Sequence, residues 1–397
     1  MGGLRFILAL SVVFHHIPGQ PFMLLHGGVA VEAFFIISGF YMAFVINEKY
    51  ATTNAPWVLT FYLNRILRLF PAYLIACAVK LYFCNSSHTP NVFSTHNDVT
   101  PQAQAVLIYL NIFIVGQDLW QMLIDHTSQG IPNVVIDRTV AFFDASSLNR
   151  VYLFISQAWS LSVEIMFYAL APFVVLSKRR VLLFFLACLM VRLYFLQNSD
   201  IFPNDPWRSR FFVCNFPLFF LGVMSYWIYT KAKDLKSSKY MGMVALLVGT
   251  VGMVFSVCKF DGAFLFSGSE NYDQPRLWFF YIALALAIPY LFILSKQSLI
   301  DGYIGELSYP IYLVHGFVIR NVALHFPLYS PVTVMLIITA LSIVISVVLY
   351  ILVDRPVDKF RHKLSTKTYT EKTRKLISRL ALGLPVLLVS IVFLIQA

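Results

Sequence analysis

Long apolar runs separated by short polar breaks dominate this chain, and their length predicts helices. About 20 mostly apolar residues suffice for a helix to cross a hydrocarbon layer. Such runs fall at 27–46, 66–84, 157–176, 181–197, 210–230, 240–258, 276–295, 303–323 and 331–353, with a shorter one at 4–17 and a last one at 380–397. A further apolar stretch, 104–124, is interrupted by Asn111, Gly116, Gln117 and Asp118. The pattern predicts an all-α, polytopic transmembrane helical bundle of about ten core helices, one re-entrant or interfacial segment and one extra C-terminal helix. Residues 1–360 form the expected core, 361–379 a basic cytoplasmic linker and 380–397 the additional helix. Neither internal repeats nor low-complexity tracts stand out. Arg5 ahead of an apolar run has the look of a signal peptide, but no small-residue cleavage site follows, so the run is expected to stay in the mature protein.

Loop charge orients the predicted helices. Lys178-Arg179-Arg180 mark one loop as cytoplasmic, Lys231, Lys233, Lys236 and Lys239 a second, and nine Lys/Arg in 354–379 a third. Lys49, Arg65 and Arg68 make a further loop basic, whereas 85–103 has no Lys or Arg and 198–207 and 261–275 are net acidic. An outward loop at 85–103 and an inward one at 178–180 need an odd number of crossings between them. The run at 157–176 supplies one, so 104–124 is expected not to cross, which requires protein to cover its irregular backbone. The N-terminus is then cytoplasmic and the C-terminus lies outside.

Composition agrees with the pattern. Hydrophobic residues make up 59% of the 397 positions and charged ones 12%, half the roughly 25% of a soluble domain. The excess of 30 Lys+Arg over 19 Asp+Glu, +11, sits in short loops. It therefore speaks for membrane lipids and against a nucleic-acid partner. The five cysteines have neither metal-ligand nor disulfide-framework spacing and are expected as small core residues, with no metal site.

Ionisable residues within the runs carry the candidate chemistry. Arg5 and His16 are eleven positions apart, almost three helical turns, so they share a face about 16 Å apart along the axis. Ionisable side chains at membrane depth are functional candidates by default. Arg5 also has a snorkelling alternative. His15 points about 100° away from His16 and is expected to be structural. Glu32 and Glu164 must pair or be protonated. His315 is either a satisfied buried histidine or a contact. Ser38-Gly39 has the make-up of a packing notch. Lys80, Arg192 and Arg320 are expected to snorkel, His26 carries no signal, and most Phe and Tyr are expected to face lipid or the interface.

Six short strings then resemble one family in order. LRFILALSVVFHH (4–16), with Arg5 and His16, resembles the opening helix of the acyltransferase family 3 membrane enzymes. GGVAVEAFFIISGF (27–40) is similar to its second helix, FYLNRILRLFPAY (61–73) to its Arg-x-x-Arg…Pro turn, and WSLSVEIMFY (159–168) to its Trp-Ser-Leu-x-x-Glu segment. SYPIYLVH (308–315) resembles the Ser-Tyr-x-Ile-Tyr-Leu-x-His segment, and VDRPV (353–357) the acidic-Arg-Pro signature, with Asp354 where Glu is commoner. Larger members continue into an outward esterase-like domain, which this chain is expected to lack.

The resemblance implies transfer of an acyl group, commonly acetyl from acetyl-CoA, to a hydroxyl of a cell-surface polysaccharide or its lipid-linked precursor, in the bacterial inner membrane. No permanently bound cofactor is implied; acyl-CoA is a substrate and a carbohydrate or glycolipid the acceptor. His16, Arg5 and Glu164 stand at the expected catalytic positions. Arg65, Arg68, Glu32, Ser38, Trp159, Tyr309 and His315 stand at expected substrate-binding ones. A histidine suits the base role, and arginines can clamp the phosphates of coenzyme A bidentately. His16 as general base and His16 as acyl carrier both remain open. Trp159 opens the Glu164 helix on the outward side, where a sugar ring could stack. A transporter of a small anionic or carbohydrate substrate is the alternative class; a small-molecule, peptide or lipid acceptor is a weaker variant.

Overall fold

The computed structural model describes residues 1–20, 23–51, 57–86, 101–120, 153–199, 202, 204–235, 240–244, 275–325 and 329–366. Every regular element among them is helical. The fold is an all-α polytopic bundle, as the apolar runs predict. Its helices are α1 (Gly2–His16), α2 (Gly27–Val45), α3 (Trp57–Ser86), α4 (Pro101–Phe113), α5 (Trp159–Val174), α6 (Lys178–Gln197), α7 (Phe212–Ala232), α8 (Pro275–Ser295), α9 (Leu299–Glu306), α10 (Ser308–His325), α11 (Pro331–Leu349) and α12 (Arg355–Thr366). Among the described residues six helical segments are long and apolar enough to cross a membrane. Most of the expected run 240–258, most of the expected outward loop 125–156 and all of the expected C-terminal helix 380–397 lie outside the described residues.

Two compact units divide the chain: Met1–Phe44, Ser177–Ser199 and Val213–Leu352 in the first, and Val45–Leu176, Asp200–Phe212 and Val353–Ala397 in the second.

In the first unit α2 is apolar all round and correspondingly buried. It meets α7 backbone to backbone: a Cβ on Gly39 would overlap the Phe219 carbonyl, and one on Gly222 the Ile36 carbonyl. Gly39 is thus the packing notch expected of Ser38-Gly39. Phe40, Phe44, Tyr229 and Phe292 interlock with ring centroids 5.0–6.4 Å apart. Some aromatic side chains nonetheless turn inward: Phe40, Phe219 and Phe220 here, and Phe61 and Phe167 in the second unit, are fully buried. Exposed apolar surface includes aliphatic positions of α6 and α11, such as Leu183, Met190, Leu336 and Val344, together with aromatic ones such as Tyr82 and Phe279. The expected single run 303–323 breaks at Leu307 into α9 and α10. Helix α1 packs on both. Its first turn is tied to α9 by Asp301, which accepts from the Gly2 and Gly3 amides at 2.7 and 2.8 Å and from the Met1 amine at 2.6 Å. Burial pushes the Asp301 carboxyl up, but the Gly3 amide, the amine and the Gly2 amide outweigh it and hold the group below its usual value.

In the second unit the described part of the stretch 104–124, up to Trp120, is interrupted. Helix α4 ends at Ile114, whose φ of 67° is left-handed, and Gly116 follows at φ 91°. Side chains cover the exposed backbone groups. Ser162 accepts from the Gly116 amide at 2.9 Å and donates to Asp118 at 2.6 Å. Asn111 Oδ1 accepts from the Phe154 amide at 2.7 Å, and Tyr73 donates to the Asn111 carbonyl at 2.9 Å. Breaking a helix at membrane depth requires this kind of internal satisfaction. One expectation fails here. The string 61–73 makes no turn: α3 runs unbroken from Trp57 to Ser86 through Pro71. Membrane helices tolerate proline where neighbouring groups satisfy the freed backbone carbonyl.

Candidate active site

Helix α1 ends in the pair His15-His16, and the first unit gathers two more histidines around it. The His16 ring is exposed, and its Nδ1 lies 2.8 Å from the Val12 carbonyl one turn back. A carbonyl only accepts, so Nδ1 is the donor, and in the neutral ring the lone pair is left on Nε2. The His315 ring, on α10, sits 5.2 Å from His16 and is itself buried, with Nδ1 held by the Tyr312 carbonyl at 2.8 Å. His315 is therefore satisfied through one nitrogen and still adjoins His16.

The His15 ring lies 5.2 Å from His16 and 4.1 Å from His26. Gly27 makes room for it, since a Cβ there would stand 2.6 Å from the His15 ring. His26, expected to carry no signal, thus joins the cluster; its position just before α2 carried no periodic cue. Arg5 lies half-buried on α1. Among the described residues no group of three or more His, Cys, Asp or Glu is arranged to hold a metal ion.

Glu32 is buried in α2 and fully engaged. Arg192 of α6 donates to it at 3.0 Å, and the Tyr281 hydroxyl donates to its other oxygen. Arg192 also donates to the Cys214 carbonyl at 3.0 Å and lies 5.5 Å from the Trp278 ring centre. This corrects the expectation that Arg192 snorkels: it is 1% exposed. A fully buried guanidinium needs its charge matched, and Glu32 does so 160 residues away in the chain. Ser38 and Tyr309 are each half-buried.

In the second unit Arg65 stands on α3 between two rings, 5.7 Å from both Phe61 and Tyr168. Its Nε is buried without a hydrogen-bond partner. Tyr168 in turn donates to Glu164 one turn earlier on α5. Arg68, one turn along α3 from Arg65, pairs loosely with Asp358 of α12 at 3.9 Å. Arg361 pairs with the other oxygen of the same carboxylate and donates to Asn64 at 3.4 Å. Arg361 escaped the sequence reading because it sits in a basic stretch that also serves as an orientation signal. Trp159 carries Arg210 5.7 Å over its ring, so a cation already lies against the aromatic surface expected to meet a sugar.

The acyltransferase-domain family matches residues 1–351. O-acetyltransferase OatA of Staphylococcus aureus is similar: the proteins of strains NCTC 8325 / PS 47 and COL are each 25% identical over 175 residues, 44% of this chain and 24% of the relative. The matched segment therefore spans about a quarter of the length of those relatives. No solved structure gives a significant match.

Proposed function

The chain belongs to acyltransferase family 3, and on that premise we propose that it is a membrane O-acyltransferase that moves an acetyl group from cytoplasmic acetyl-CoA to a hydroxyl of a surface polysaccharide or its lipid-linked precursor. It resides in the inner membrane with a cytoplasmic N-terminus. The observation that carries this reading is the state of His16, whose ring is exposed with Nδ1 bound to Val12. That tautomer presents Nε2 as a base at the end of the helix that bears Arg5.

In direct transfer Nε2 takes the proton of the acceptor hydroxyl. The oxygen bonds to the thioester carbon, the carbon–sulfur bond breaks, and the thiolate recovers the proton from the imidazolium. In the covalent variant the same nitrogen attacks the thioester, and acetyl-imidazole is then opened by the hydroxyl. His315 adjoins His16 and serves to orient it. Arg65 and Arg68 bind the donor's phosphates, and Glu164 holds the Tyr168 hydroxyl beside Arg65. Trp159 and Arg210 offer a flat, cationic face to the acceptor. Glu32 is assigned to holding the helices that frame the site, because Arg192 and Tyr281 engage both its oxygens.

The test uses the purified protein with radiolabelled acetyl-CoA and a surface-glycan extract. Transfer of label is expected from the wild type and should fall at least a hundredfold in His16→Gln, in the range general-base removal costs. Label that crosses a vesicle still on coenzyme A would make the protein a transporter. Label retained on the protein after a quench identifies the covalent route.

A further inference from the structure

Helix α12 has two unlike faces. Val357, Asp358 and Arg361 are half-buried, and Asp358 is held between Arg361 and Arg68 of α3. Arg355, Pro356, Lys359 and Phe360 are exposed, Phe360 to 54%. Those four fall at i, i+1, i+4 and i+5, which is one helical face, with the Cβ atoms of Arg355 and Lys359 about 5–6 Å apart. Neither of these two cations makes an ion pair, a hydrogen bond or a ring contact among the described residues. Like charges one turn apart repel and weaken a helix. An anion lying between them turns that repulsion into attraction.

Chain length fixes the depth of this face. Helix α12 opens within a helical segment, Pro331–Arg361, that is long and apolar enough to cross a membrane and has 31 residues. At about 1.5 Å per residue that is about 46 Å, against about 30 Å of hydrocarbon and about 40–45 Å with both headgroup layers. The stretch from Arg355 to Arg361 therefore stands among headgroups, on the cytoplasmic side in the topology proposed above. An exposed phenylalanine between cations suits that layer: the ring buries in the acyl boundary while arginine and lysine reach the phosphates. An anion from the aqueous phase would engage the cations and leave the ring in water.

We propose that the Arg355–Lys359–Phe360 face of α12 binds anionic phospholipid of the cytoplasmic leaflet, with both cations on the headgroup phosphate and the Phe360 ring set into the lipid beside it. Zwitterionic lipid carries the same phosphate, but its own ammonium offsets the charge, so the face selects by net charge. The inference rests on the inner-membrane topology proposed above and is independent of acyl transfer.

The test titrates the full chain, purified in a neutral detergent, with short-chain phosphatidylglycerol and with phosphatidylcholine of equal acyl length. The wild type should bind phosphatidylglycerol about 25-fold tighter, about fivefold from each cation. Lys359→Gln should remove about fivefold and Arg355→Gln/Lys359→Gln the whole preference, whereas Arg355→Lys/Lys359→Arg keeps it. Phe360→Ala should weaken both lipids alike. Lys359→Gln decides the matter alone if the double variant does not fold. A preference that survives Lys359→Gln intact overturns the inference, as does one that persists in about 1 M salt, where screening should remove it. An equal loss in Arg179→Gln/Arg180→Gln, at exposed cations of α6, would assign the preference to total charge and overturn it too. A changed oligomeric state in Lys359→Gln with the lipid preference unaltered gives the face to a second copy of the chain and likewise overturns it. Acetyl transfer by the wild type is scored separately: its absence would sink the acyltransferase reading and leave the lipid preference standing.

Discussion

Arg192 and the Arg65–Arg68–Arg361 group solve opposite problems with the same side chain. Arg192 is sealed inside its unit with a carboxylate, a carbonyl and an indole around it. Its charge is matched within the unit. The group of three is partly exposed in the other unit, Arg68 and Arg361 share one carboxylate, and the buried Arg65 Nε has no hydrogen-bond partner. Burial makes an ion pair hard to break, because removing one member strands the other in a poor solvent for charge. Partial exposure makes it easy to replace. The first site thus holds helices together, and the second leaves its cations partly open to solvent.

The strongest attempt to break this contrast is Arg192→Met. Glu32 would lose its guanidinium, and about 3–5 kcal/mol of stability should be lost, read as a lower unfolding midpoint in detergent. An unchanged midpoint would show that Arg192 does not hold the fold. Adding Glu32→Gln removes the stranded charge, so the double variant should recover most of the loss. Recovered stability with recovered turnover keeps Glu32 structural; recovered stability with dead enzyme returns Glu32 to the substrate site.

Asp301 gives an intermediate case, with its side chain 24% exposed and set against the first amides of α1. Asp301→Asn should cost about 0.5–1 kcal/mol, the value of an anion at a helix N-terminus. The sign with pH follows from the lowered carboxyl. Its contribution is complete above the ordinary carboxylate range and fades as pH falls through the folded-state value, so the midpoints of wild type and variant should converge in strong acid and run parallel near neutrality. Parallel midpoints down to strong acid would refute the anchoring role. Arg68→Ala should cost least, roughly 0.3 kcal/mol, and high salt should erase even that. A loss as large as that of Arg192→Met would erase the distinction between the two arginine sites.

Much of the architecture was legible along the chain. The apolar runs located α2, α6, α7, α8 and α11 to within a few residues, because hydrocarbon thickness sets the length of a crossing helix. The interruption of 104–124 was legible from Gly116 and the polar residues beside it. Helix α3 starts at Trp57, nine residues before the apolar run at 66, because Asn64, Arg65 and Arg68 interrupt the apolar pattern without ending the helix. At the candidate site, helical periodicity placed Arg5 and His16 on one face. It gave no hint that His26 would meet His15 edge to face, or that His315 would reach His16.

Residue order alone therefore settled the solvent, the helical class and the ionisable positions, since each follows from local length, period and charge. Folding chose the partners: Arg192 for Glu32, Asp358 for both Arg68 and Arg361. The reason is that a one-dimensional pattern records the environment a side chain requires. Which distant group meets that requirement depends on how helices approach, and at α2 and α7 that approach is set by two glycines through which the backbones touch.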